Sequence, residues 1–115
     1  MTQAWVTLTG MDGRDIAAPS GEELEAALDA LFDAAEAGGE PASASLRFGY
    51  DDGLMYVAEI GSDGTLRFEE WSDRDCEIAL ASPRTMRGDY DLACALWMLM
   101  AKRQVSRIRE LPWQT

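Results

Sequence analysis

Glu59 and Glu69 stand on two runs that read as neighbouring strands, and paired carboxylates are the one constellation in this sequence with the residue types for general acid and base work. Two acids on a sheet surface are far more often structural than catalytic. The chain has no histidine at all, which removes Ser-His and Cys-His nucleophiles, imidazole acid-base catalysis and histidine-containing metal sites. Gly10-Met11-Asp12-Gly13 has neither the spacing of a P-loop nor that of a dinucleotide fingerprint. The Asp51-Asp52 and Asp63 stretches lack the twelve-residue calcium loop with its closing glutamate, and turn chemistry accounts for them. Cys76 and Cys94 make neither a disulfide framework nor a metal set and read as small core residues of a reducing compartment. The sequence therefore predicts no enzyme, no cofactor and no metal.

The elements that would position these residues centre on residues 43 to 71, SASLRFGYDDGLMYVAEIGSDGTLRFEEW, where two Asp-Gly turns separate three runs rich in aromatic and β-branched residues. A period of two places Ala44, Leu46, Phe48 and Tyr50, then Leu54, Tyr56, Ala58 and Ile60, then Leu66 and Phe68 on one apolar face. The opposite face takes Ser45, Arg47, Met55, Glu59, Arg67, Glu69 and Trp71, a mixed surface for water or a partner. Before the meander, WVTLT at residues 5 to 9 reads as a strand, with a second short strand through Ile16. Ser20 and Glu23 form a capping box for a helix over about 21 to 37, closed by Gly38-Gly39. Leu24, Ala27, Leu28, Leu31 and Ala35 form its buried stripe. Glu25, Asp29 and Asp33 line up at intervals of four on another side, where like charges cost roughly 0.2 to 0.5 kcal/mol per pair. That strip suits either water or a partner.

After the meander, CEIALA at residues 76 to 81 reads as a fourth strand of that sheet, with Ile78 and Leu80 facing inward and Pro83 ending it. SPRTMRG, residues 82 to 88, is then a loop and the most basic spot of the chain. Asp89 caps a second helix over about 90 to 104 whose middle, LACALWMLMA, is apolar almost all round and so belongs to the core rather than to a membrane or a second subunit. VSRIRELPWQ predicts a last short edge strand. The expected fold is α+β: an antiparallel sheet of five to six strands packed by two helices, in a single domain over residues 1 to 115.

A net charge of -11 argues against direct nucleic-acid binding and for a basic partner. The acid is uneven, since residues 1 to 70 hold 15 acids and 3 bases, and residues 71 to 115 hold 6 and 7. The N-terminus shows no signal peptide and no segment suits a membrane span, which predicts a cytoplasmic protein.

Three stretches carry a resemblance: SGEELEAALDAL at 20 to 31, DGLMYVAEIGSDGTLRFEEW at 52 to 71, and the second helix with the tail Pro112-Trp113-Gln114. Over residues 20 to 114 the chain resembles the small immunity proteins of bacterial polymorphic toxin systems, the first-described family, which accompanies deaminase-like toxins. The resemblance implies an α+β protein that folds alone and acts as a toxin inhibitor, binding one cognate toxin and blocking its active site or substrate groove. The net charge adds the expectation that it binds through an acidic surface to a basic groove, and the chain is expected to be a monomer or weak homodimer. Within the matching region, Asp51, Asp52, Glu69, Glu70, Trp71, Asp73 and Asp75 are the expected contact patch, with Trp71 as aromatic anchor among carboxylates. Trp113 is a further candidate, although plugging the core suits it better. The alternative is a phage-encoded anti-CRISPR or DNA-mimic inhibitor whose acids imitate phosphates.

Overall fold

The computed structural model describes residues 4–38, 41–50, 53–72 and 78–113. Strands β1 (Ala4–Thr9), β2 (Asp15–Ala17), β3 (Ser43–Tyr50), β4 (Met55–Gly61), β5 (Thr65–Trp71) and β6 (Arg84–Arg87) form one antiparallel sheet in the order β2-β1-β3-β4-β5-β6. Helices α1 (Gly21–Glu36), α2 (Tyr90–Ala101) and α3 (Val105–Arg109) complete an α+β fold. The meander has the predicted register. Phe48 pairs with Tyr56, Ala58 with Phe68 and Ile60 with Leu66, so the apolar residues of three strands share one side. At the tip between β4 and β5, Gly64 takes φ +90, a value that glycine reaches without strain, and the Asp63 carboxylate accepts from the Thr65 N–H at 2.9 Å.

All of the helical packing falls on that side. Leu24, Leu28 and Leu31 of α1, Ala93, Leu96, Trp97 and Met100 of α2, and Ile108 of α3 join Leu8, Leu46, Phe48, Ile60, Leu66 and Phe68 in one core. The predicted capping box of α1 is present, with Glu23 N–H donating to Ser20 Oγ and Ser20 N–H to Glu23 Oε1. Asp89 caps α2 by accepting from the Leu92 N–H. Trp97 is fully buried, and its Nε1–H donates to the Ala58 carbonyl at 3.1 Å, so the core placement of this helix holds. Phe48, Tyr56, Phe68 and Trp113 stack in sequence across the sheet, with centroids 4.8, 6.2 and 6.0 Å apart. Trp113 closes the series and donates to the Ile108 carbonyl at 2.7 Å. It packs against the core.

Three expectations are overturned. The sixth strand is Arg84–Arg87, from the stretch expected to be a basic loop, and CEIALA contributes no strand among its described residues. Ile78 and Leu80 are 63% and 51% exposed rather than inward, and Ala79 makes only an isolated bridge with Trp71. The tail at 105 to 109 is helix rather than strand. Val105 and Ile108 are three apart, which puts them on opposite faces of a strand but on one side of a helix, and Ile108 is buried as that side requires. The second helix also stops at Ala101, where the chain turns through Arg103 at φ 56. Among the described residues no helix is long and apolar enough to cross a membrane.

Candidate protein-binding face

Among the described residues the helices occupy one side of the sheet and leave the other side bare, and the strand register arranges it in rows. The first row is Trp5, Gly49, Met55 and Trp71; the second is Thr7, Arg47, Val57 and Glu69; the third is Thr9, Ser45, Glu59, Arg67 and Thr85. Alternation alone assigned most of these residues to this side. Their environment differs from a wet surface.

In the first row Met55 is 3% exposed although no helix covers it. Its row neighbours are Trp71 and Gly49, and the Trp5 indole lies directly on Gly49: a Cβ added there would stand 2.6 Å from Trp5 Cζ2 and 2.5 Å from the Leu54 carbonyl oxygen. Glycine at 49 is therefore the seat of an indole. The result is an apolar ledge of two tryptophans and a methionine at one end of an otherwise polar face, with aromatic residues of the kind that anchor protein interfaces.

Glu69 and Trp71 of the expected contact patch both lie here and touch. Glu69 accepts from Trp71 Nε1 at 3.2 Å and from Arg67 Nε at 2.9 Å. The carboxylate is 19% exposed and its arginine 45%. This corner presents a neutralised carboxylate with an aromatic edge. Glu59 forms no ion pair among the described residues and is exposed. The Glu59 and Glu69 pair that suited acid-base work is not built as such: Glu59 stands opposite Arg67 and Glu69 opposite Val57. Beyond the third row, Ser43, Glu59, Asp63, Thr65, Arg67 and Thr85 line a shallow polar hollow of about 410 Å³.

Glu70 does not belong to the patch. It follows Leu66 and Phe68 on the covered side, is 3% exposed, and is held there by Arg84 of β6 and Arg109 of α3. Burial pushes its carboxyl up, but the hydrogen bonds and charges of Arg109 and Arg84 outweigh that and hold it below its ordinary 4.5. The same parity that placed Phe68 inward also places Glu70 inward, so the sequence already carried this signal. It also explains the sixth strand, since an inward carboxylate needs a cation and Arg84, opposite Phe68, supplies one. Asp51, Asp52, Asp73 and Asp75 lie outside the described residues, as does Cys76.

A further group of acids lies on the helical side. Glu25 and Asp29 of α1 come close to Asp91 and Tyr90 at the start of α2, where α1 and α2 pack side by side. A hydrogen bond to Asp29, with burial and the nearby carboxylates, pushes the Tyr90 phenol up to about 12, and burial with Glu25, Asp91 and Asp29 raises the Cys94 thiol. On another side of the same stretch of α1 a groove of about 490 Å³ opens between the β1–β2 hairpin and Ala26, Ala27 and Ala30. Among the described residues no group of three or more His, Cys, Asp or Glu could hold a metal ion.

The fold and the bare face together define a small α+β chain with an exposed sheet surface. Compared with family models, curated proteins and solved structures, the chain matches none of them.

Proposed function

We propose that this chain is an immunity-type inhibitor that performs no reaction and instead binds a cognate protein toxin through the bare side of its sheet. The observation that carries the reading is the one-sided layering. A six-stranded sheet buries its other side under three helices and leaves this side with a tryptophan-methionine ledge beside unneutralised charges. An anchor of indoles next to a polar field matches the anatomy of a specific interface. The resemblance to immunity proteins over residues 20 to 114 supplies the partner class. The net charge of -11 favours a basic partner, which long-range attraction would bring in faster.

The test is co-expression with the product of the neighbouring gene, scored by rescue of growth, followed by the same assay with Val57→Glu. Val57 is half-buried in the middle of the bare side, so a carboxylate there disrupts docking while leaving the core untouched. Rescue by the parent and loss of rescue by a folded Val57→Glu variant supports the reading. Equal rescue by both refutes it.

A second reading has one observation in its favour. The strip of Glu25, Asp29 and Asp33 on α1 continues toward Asp91 of α2, the arrangement an inhibitor that mimics a nucleic-acid backbone would use. In that case reversing Glu25, Asp29 and Asp33 to lysine abolishes inhibition and Val57→Glu leaves it intact.

A further inference from the structure

Arg47 sits at the centre of the bare side, between Thr7 on β1 and Val57 on β4. Among the described residues its one hydrogen bond is long, from Nη2 to Thr9 Oγ1 at 3.4 Å, and its buried Nε has no acceptor. Among the described residues no carboxylate pairs with it, whereas Arg14, Arg67, Arg84 and Arg109 each have one. The shortage is local, because the chain holds 21 acids and Glu59 stands exposed on the next strand without an ion pair. A buried N–H left without an acceptor bears its desolvation cost uncompensated, and the cost is greater for a charged group. The isolated chain bears that cost on the face it presents to solvent.

We propose that Arg47 is the anchor for a carboxylate of the partner protein, an aspartate or glutamate on a segment that also lays an apolar side chain on the ledge of Trp5, Met55 and Trp71. The proposal rests on the bare side being the binding face and names the chemistry that face selects. A carboxylate accepts two parallel N–H bonds from a guanidinium, one of them from Nε when it approaches edge-on, which supplies the acceptor Arg47 lacks. The ledge is the adjacent row, so a carboxylate and an apolar group a few residues apart reach both. A cation without a carboxylate at the centre of this face also discriminates. The net charge draws in basic partners of many kinds, and a partner without an acid at this spot leaves the Arg47 Nε–H buried without an acceptor.

The first experiment uses a defined probe. The Arg47 Nε–H and Trp71 Nε1–H signals of the ¹⁵N-labelled protein are followed by NMR during titration with 3-phenylpropionate and, separately, with 2-phenylethylammonium. A saturable shift of both signals with the carboxylate, at least tenfold weaker with the ammonium, supports the proposal. In Arg47→Gln and Arg47→Lys the Trp71 shift should weaken at least fivefold, and circular dichroism verifies that each is folded. No shift at Arg47, an equal response to both probes, or an undiminished Trp71 shift in both variants overturns it. The second experiment uses the toxin complex defined by growth rescue. At least tenfold weaker binding by Arg47→Gln, together with loss of binding by Val57→Glu, supports the proposal. Loss with Val57→Glu but parental affinity with Arg47→Gln overturns the Arg47 anchor and leaves the binding face standing; parental affinity in both removes the binding face as well.

Discussion

Replacing Glu70 by glutamine tests how the tail of the chain is held to the sheet. The glutamine keeps the size but removes the charge that Arg84 and Arg109 share. Removing one member of a buried ion pair costs about 3 to 5 kcal/mol when the partner stays buried. Here the arginine side chains keep 31% and 48% of their exposure, so both regain water and the expected cost falls to about 2 kcal/mol. For a chain of this size that lowers Tm by about 8 °C. Urea unfolding followed by circular dichroism measures it, with Glu69→Gln as a control expected to change stability by less than about 1 kcal/mol because its ion pair is partly in water. The pH dependence carries a sign. The folded carboxyl titrates below its ordinary 4.5, so its contribution is complete above that value and disappears as pH falls through the folded pKa. The glutamine variant lacks this contribution at every pH, and its deficit relative to the parent narrows below pH 4.5. Equal stability at neutral pH, or a deficit that stays constant on acidification, refutes the reasoning.

Gly49→Ala is expected to cost about 2 kcal/mol or more in thermal unfolding, since its Cβ meets a backbone carbonyl at 2.5 Å as well as the Trp5 indole. A Trp5→Leu background should not restore that loss, because the carbonyl remains. Titration followed at 295 nm should show the Tyr90 phenol ionising only near pH 12, and Asp29→Asn should bring it back toward 10. A raised phenol pKa also means that folding stability declines between pH 10 and 12, and Tyr90→Phe should remove that decline. Ser20→Ala should lower stability by about 1 kcal/mol through loss of the α1 cap, measurable by urea midpoint.

What could be read from the chain beforehand was whatever rests on local periodicity. The meander, its register, the capping box at Ser20 and the Asp89 cap all follow from spacing within a few residues, and each stands in the fold. The bare side of the sheet was legible for the same reason. What failed depended on partners far along the chain. CEIALA has a strand's alternation, yet β6 came from RTMR because Glu70, on the inward parity, needs Arg84 beside it. The tail alternates loosely enough to pass for a strand, but its apolar spacing of three suits a helix, and Arg109 must reach a residue 39 positions earlier. Within the expected contact patch, Glu69 and Trp71 meet at one corner, whereas Glu70 was excluded by the parity that defined the meander. Arg47 could be placed on the bare side by alternation, but its missing acceptor depends on three-dimensional neighbours that a linear pattern does not contain.

The attachment of the tail also has a consequence for the order of assembly. Neighbouring strands from β3 to β5 join through short connections, so that half of the sheet closes early at little entropic cost. Glu70 is on its inner side, and its second cation and the indole that ends the aromatic stack both come from residues 105 to 113, which follow the sheet and α2 in chain order. A nascent chain that is still missing residues 105 to 113 therefore carries a half-compensated acid beside an uncovered phenylalanine. Arrival of this segment acts as a latch, and loss of residues 105 to 113 opens the core from the side facing away from the ledge of Trp5, Met55 and Trp71.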